Sequence, residues 1–166
     1  MGHNTLAFYD NVVPLIQPVD LGTTDTATPY VQLKGAHRLA FLVQFGVTTQ
    51  NATTDRINVT VECASVETET ETAVIFNYRL SSAVTANTWG AVTTATTTGA
   101  ELSYLHEGMS LWIEVDPDLL GTSDYKFCRL LITVNAFTAV FASVTAFVDA
   151  RYKRTTMTSV TSAATA

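Results

Sequence analysis

Apolar and polar side chains alternate one by one along most of this chain. In "RINVTVECASV", Ile57, Val59, Val61 and Cys63 fall on one face and Arg56, Asn58, Thr60 and Glu62 on the other. "MSLWIEVD" sets Met109, Leu111, Ile113 and Val115 against Ser110, Trp112, Glu114 and Asp116. "AVIFNYRLS" places Val74, Phe76, Tyr78 and Leu80 together, opposed by Asn77 and Arg79. "KFCRLLITVN" offers Cys128, Leu130, Ile132 and Val134 to one side, and "AVFASVTAFVD" offers Val140, Ala142, Val144, Ala146 and Val148. "HRLAFLVQFGV" from His37 is apolar nearly throughout, as expected of a central strand covered on both faces.

A two-residue period is the signature of strands, and Val, Ile, Thr, Phe and Tyr suit a pleated surface. Between the runs lie "TTQNATTD", "VTANTWG", "TTTGAEL" and "DPDLLGTSD", which have turn compositions. Many short strands with such punctuation predict a sandwich or barrel. "DPDLLG" is the one helical turn expected, with Asp116 as N-cap, Pro117 next and Gly121 closing it. The ends differ. Residues 1–29 carry Pro14, Pro18 and Pro29 and read as an extended N-terminal arm with a short edge strand at "NVVPLI". Residues 30–150 form the β domain. The Thr- and Ser-rich tail, 151–166, has too little apolar content to fold alone.

Composition narrows the function classes. The chain has 166 residues, 47% of them hydrophobic and 14% charged, so its surface repels other protein weakly. A net charge of −6 argues against nucleic acid, whose phosphates need Lys and Arg. "AFTAVFASVTAFV" is too short and too interrupted for a membrane span. No signal-peptide pattern opens the chain, so cytoplasmic synthesis is expected.

Candidate chemistry is sparse. Asp116, Asp118 and Gly121 match positions one, three and six of a calcium-binding EF-hand loop, but Leu120 and Phe127 stand where an oxygen and a bidentate Glu are required. The loop therefore reads as a capped turn. His3, His37 and His106 fall in no spacing that makes a metal triad, and no nucleophile or phosphate-loop motif is present. Neither an enzyme nor a cofactor is expected. Cys63 and Cys128 both alternate inward and read as buried free thiols, with a disulfide between them the alternative. Asn51 and Asn58 match the glycosylation sequon by chance in so Thr-rich a chain. Trp112 points away from the predicted core, which means either packing under a loop or burial in a subunit contact.

Four segments together resemble a group of small virion proteins of tailed bacteriophages: "FLVQFGV" (41–47), "LWIEVDPDLL" (111–120), "YKFCRLLITV" (125–134) and "VDARYKR" (148–154). The resemblance spans residues 30 to 154, and several members of that group are capsid decoration (cement or auxiliary head) proteins. It implies a single antiparallel β-sandwich, jelly-roll-like in one form. It also implies a homo-oligomer, first expected to be a trimer, on the outer surface of an icosahedral capsid. There the protein would bridge copies of the major capsid protein. The expected contacts are Tyr9, Val12, Val13 and Leu15 of the arm, Trp112 with Glu114, and the basic stretch Arg151, Tyr152, Lys153 and Arg154. Two alternatives stand beside this reading: a head–tail or tail component, and a carbohydrate- or receptor-binding module using Trp89, Tyr104 and Asn87.

Overall fold

The computed structural model describes residues 11–33, 36–49, 53–67, 70–83, 88–103, 107–115 and 125–150. Among these every regular element is a strand. One sheet holds β1 (Asn11–Asp20), β4 (Ala36–Thr49), β7 (Phe76–Leu80), β8 (Thr93–Ala95), β10 (Ser110–Val115) and β12 (Ala139–Ala150), in the order β1-β12-β4-β10-β7-β8. The other holds β2 (Thr26–Ala27), β3 (Val31–Gln32), β5 (Arg56–Ala64), β6 (Thr72–Val74), β9 (Ala100–Ser103) and β11 (Phe127–Asn135). Its centre is the β11–β5 pair, with β2 and β3 on one flank and β6 and β9 on the other.

All pairings are antiparallel. They nest: β1 with β12, β2 and β3 with β11, β4 with β10, and β5 with β9. First thus meets last and second meets second-last, so the chain is one long antiparallel ribbon wound back on itself. The β12–β4 and β11–β5 pairings then close each sheet of the roll. That is the jelly-roll form of the expected sandwich.

The core forms where the alternating apolar faces of the two sheets meet. Phe41, Val43, Leu111, Ile113, Val140 and Val144 come from the first sheet; Val59, Val61, Leu130 and Ile132 come from the second, and all are fully buried. The inward residues of the alternations at 57–63, 111–115, 128–134 and 140–148 are buried, because a two-residue period leaves a half-covered strand no other stable orientation, whereas Val74, Tyr78 and Leu80 of "AVIFNYRLS" are only partly buried.

"AVIFNYRLS", expected to be a single strand, divides at Ile75. Val74 ends β6 in the second sheet, and Phe76 opens β7 in the first. Ile75, 61% exposed, occupies the corner where the chain changes sheets. From residue 11 onward, the segment read as an arm is built into the roll. Val13, Leu15 and Ile16 pack against the core, while β1 runs along β12 with register shifts around its prolines. Proline lacks the N–H that an inner strand must donate, so β1 lies at the sheet's edge. The ladder is also repaired at Pro29. The preceding residue, Thr28, is 3% exposed, and its Oγ1 accepts from Leu130 N at 3.0 Å while its own N–H donates to Leu130 O at 2.8 Å.

Candidate functional site

The first sheet has one face on the core and one facing out, and the outward face gathers aromatic rings. Trp112 and Glu114 of β10 point out because Leu111, Ile113 and Val115 alternate with them into the core. Phe147 of β12 points out for the same reason, between buried Ala146 and Val148. Register sets Trp112 opposite Leu42 of β4 on one side and Arg79 of β7 on the other. Phe147 lies opposite Ala40 of β4 and Val12 of β1.

The rings of Trp112 and Phe147 reach toward each other across β4, with centroids 5.3 Å apart. Trp89, bridged to Ser81 at the end of β7, brings a second indole to 6.3 Å from Trp112. Trp112 Nε1–H donates to Glu114 Oε1 at 2.9 Å, so its polar end is satisfied within the face. Ala40, though it points away from the core, is only 3% exposed. The outer side of β4 is thus shielded by side chains of its neighbours and not by another layer of backbone.

The row runs Val12, Phe147, Trp112, Trp89 across the sheet. Its inner members are half-buried, and its ends are open, Val12 at 58% and Trp89 at 43% exposure. Aromatic and aliphatic surface presented this way is the usual core of a protein–protein contact.

Of the contacts expected from sequence, Trp112, Glu114 and Val12 share this face. Val13 and Leu15 turn toward the core instead, because β1 alternates about Val12. Tyr9, Arg151, Tyr152, Lys153 and Arg154 lie outside the described residues. Asp116, Pro117, Asp118, Leu120, Gly121, His3, His106, Asn51, Asn87 and Tyr104 also lie outside the described residues, and His37 falls in β4. Phe147 was missed by sequence reasoning, although it stands at an outward position in its own alternation.

The outward face of the second sheet carries a different cluster. Arg129 of β11 lies opposite Glu62 of β5, and its Nε donates to Glu62 Oε2 at 2.9 Å. Its other arm reaches Glu71 Oε1 at 2.9 Å. Tyr30 O–H donates to the same Glu71 oxygen at 2.6 Å, and the guanidinium carbon lies 5.0 Å from the Tyr30 ring centroid. Burial, and then the bond to Glu71, push the Tyr30 hydroxyl up to about 12, while that bond is the main cause holding the Glu71 carboxyl below its usual range. This cluster ties together the segments before β3 and β6 and the two central strands. Both carboxylates are held by the one guanidinium, and Glu71 also by the Tyr30 hydroxyl, as in a structural clamp. Nearer the other end of the same sheet, Arg56, Asn58, Thr98, Glu101, Thr133 and Asn135 line a polar hollow of about 250 Å³. Among the described residues, no group of three or more His, Cys, Asp or Glu is placed to hold a metal ion.

No protein-family model matches the sequence, and no curated protein matches it. Among solved structures the chain is similar to one titled "Crystal structure of SPBc2 prophage-derived protein YomS". The identity is 12%, with 84% of this chain and 92% of that one covered, at a TM-score of 0.42. A likeness this distant carries no argument, and the functional reading rests on the surfaces described above.

Proposed function

We propose that this chain is a virion structural protein of a tailed bacteriophage. In this reading it binds the outer surface of the icosahedral capsid as a homo-oligomer, first expected to be a trimer, and stabilises the shell by bridging capsid subunits. The observation that carries the proposal is the row Val12–Phe147–Trp112–Trp89, an aromatic and aliphatic outer face that runs across the first sheet. The sequence resemblance to capsid decoration proteins points the same way.

The mechanism needs no pocket. A ligand that binds the assembled shell and not the free subunit shifts the assembly equilibrium by its binding free energy. Contacts repeated by symmetry convert modest affinities into avidity. Trp89, already exposed, is the anchor available to a partner, while Trp112 and Phe147 hold it in place. A head–tail or tail component would use the same face on another part of the virion.

The test is co-sedimentation of the purified full-length protein with empty heads and, separately, with tails of the phage that encodes it. Binding to heads that is lost in Trp89→Ala supports decoration. Binding to tails alone supports the tail reading, and binding to neither overturns both. The polar hollow on the second sheet favours a second reading, a glycan-binding module, because its amide, hydroxyl, guanidinium and carboxylate groups match the hydroxyls of a sugar. A glycan array probed with the full chain decides it: retention that is lost in Asn58→Ala would promote it, and a blank array removes it.

A further inference from the structure

Cys63 and Cys128, the chain's two cysteines, face each other directly across the central β5–β11 pair of the second sheet. The hydrogen-bond pattern tells which kind of pair they form. Leu130, two residues along β11 from Cys128, turns both its N–H and its C=O away from β5, to Thr28. Backbone groups alternate sides along a strand, so those of Cys128 also point away from β5. Cys63 and Cys128 are therefore a non-hydrogen-bonded antiparallel pair, the kind in which Cα atoms lie about 4.5 Å apart and side chains come closest. A disulfide requires a Cα separation of roughly 4.4–6.8 Å, so this pair is bridgeable without moving the backbone. The two thiols are free and fully buried.

We propose that Cys63 and Cys128 are an oxidation site, a dithiol in a reducing cytosol that closes to a disulfide in an oxidising medium and locks β5 to β11. The bond would link residues far apart in sequence at the middle of the second sheet, where a constraint on the unfolded chain is large. With a small-molecule disulfide as oxidant the step balances. One protein thiolate attacks the reagent and releases one of its halves as thiolate. The second protein thiolate then displaces the other half. Two S–H bonds and the reagent's S–S bond are broken, one protein S–S bond forms, and two electrons and two protons end on the reagent's two thiols.

Burial governs the rate. Loss of hydration pushes the Cys128 thiol well up, so thiolate is scarce and a reagent must wait for the sheet to open. The same burial shields the finished bond from reductants. The assignment goes beyond the capsid reading and stands without it, since it rests only on strand register.

The experiment uses the full chain, purified reduced and then incubated with hydroxyethyl disulfide in mild urea that leaves it folded. Free thiols are counted after denaturation, alongside intact mass and non-reducing electrophoresis. Loss of both thiols, a mass lower by two hydrogens, a monomeric band and a thermal midpoint raised by on the order of 10 °C support the lock. Cys63→Ala serves as the control, and its midpoint should not respond to the oxidant. Two thiols persisting after amide exchange shows that the β5–β11 pair has opened, cross-linked dimers, or an oxidised form that melts earlier would each overturn the proposal.

Discussion

Trp112 of β10 and Phe147 of β12 lie on different strands separated by β4, yet their rings approach to 5.3 Å between centroids on the outer face of the first sheet. The contact shields Ala40 and leaves Trp89 and Val12 as the open ends of an apolar row. Trp112 thus supports the fold, whereas Trp89 is free to act as an anchor.

The two tryptophans should separate in mutagenesis. Trp112→Ala removes a half-buried ring and its aromatic contacts and is expected to cost about 2–3 kcal/mol in urea unfolding. Trp89→Ala, at an exposed site, should cost under about 1 kcal/mol and yet weaken head binding. Equal stability losses with unchanged binding would place the contact surface elsewhere.

Arg129 is shared by two carboxylates, Glu62 and Glu71, whose side chains are 15% and 28% exposed. Arg129→Met would leave the two carboxylates facing one another without their shared cation, and a loss of about 2–4 kcal/mol in equilibrium unfolding is expected. Lysine should recover only part of this, because one ammonium cannot present the two-armed fork. A variant as stable as the parent would show the clamp to be dispensable.

Tyr30 gives the clamp a pH signature. Its hydroxyl titrates near 10.0 when free and at about 12 in the fold, because the buried neutral form donates to Glu71. A folded value above the unfolded one means that stabilisation is fully present below pH 10 and disappears as pH rises to 12. At the acid end the sign reverses. Glu71 is held below its ordinary 4.5, so its contribution is present above that value and lost as pH falls through the folded one. In Tyr30→Phe, unfolding free energy measured between pH 9 and 12 should lose much of its alkaline slope. An unchanged slope would assign it to other groups.

Gly99 sits at φ +94° in the tight turn before β9, pressed against β5. A Cβ there would lie 2.7 Å from Asn58 Oδ1 and 2.7 Å from the Val59 carbonyl. Backbone cannot swing away as a side chain does. Gly99→Ala should therefore cost upwards of about 2 kcal/mol by denaturant titration, from the strained φ and the clash together. A near-neutral substitution would mean that the turn relaxes freely.

Much of the architecture was legible from alternation alone, and the exceptions are instructive. Ile57, Val59 and Val61, or Leu111, Ile113 and Val115, could be assigned to a core because a strand's side chains change face at every residue. Ile75 could not be read as a corner. Within "AVIFNYRLS" the period is unbroken, and only the presence of two sheets makes the chain cross between them at that point. The edge strand at "NVVPLI" was legible despite its proline, but not that it runs on to Asp20 or that Val13, Leu15 and Ile16 pack against the core. At the candidate site the outward direction of Trp112 was legible, but its partner Phe147 was not, since the two belong to strands that are not adjacent even in the sheet.

The chain's own order of side chains therefore determined which residues turn inward, that the protein is built of strands, and that its surface is poor in charge. All of these are short-range consequences of backbone geometry and composition. The tertiary structure alone decided that Cys63 faces Cys128, that Arg129 finds Glu62 and Glu71, and that Trp112 and Phe147 close over β4. Those meetings depend on strand pairing between distant segments. Pairing is selected by burying all the apolar faces at once against the entropy of closing long loops, and no local pattern carries that information.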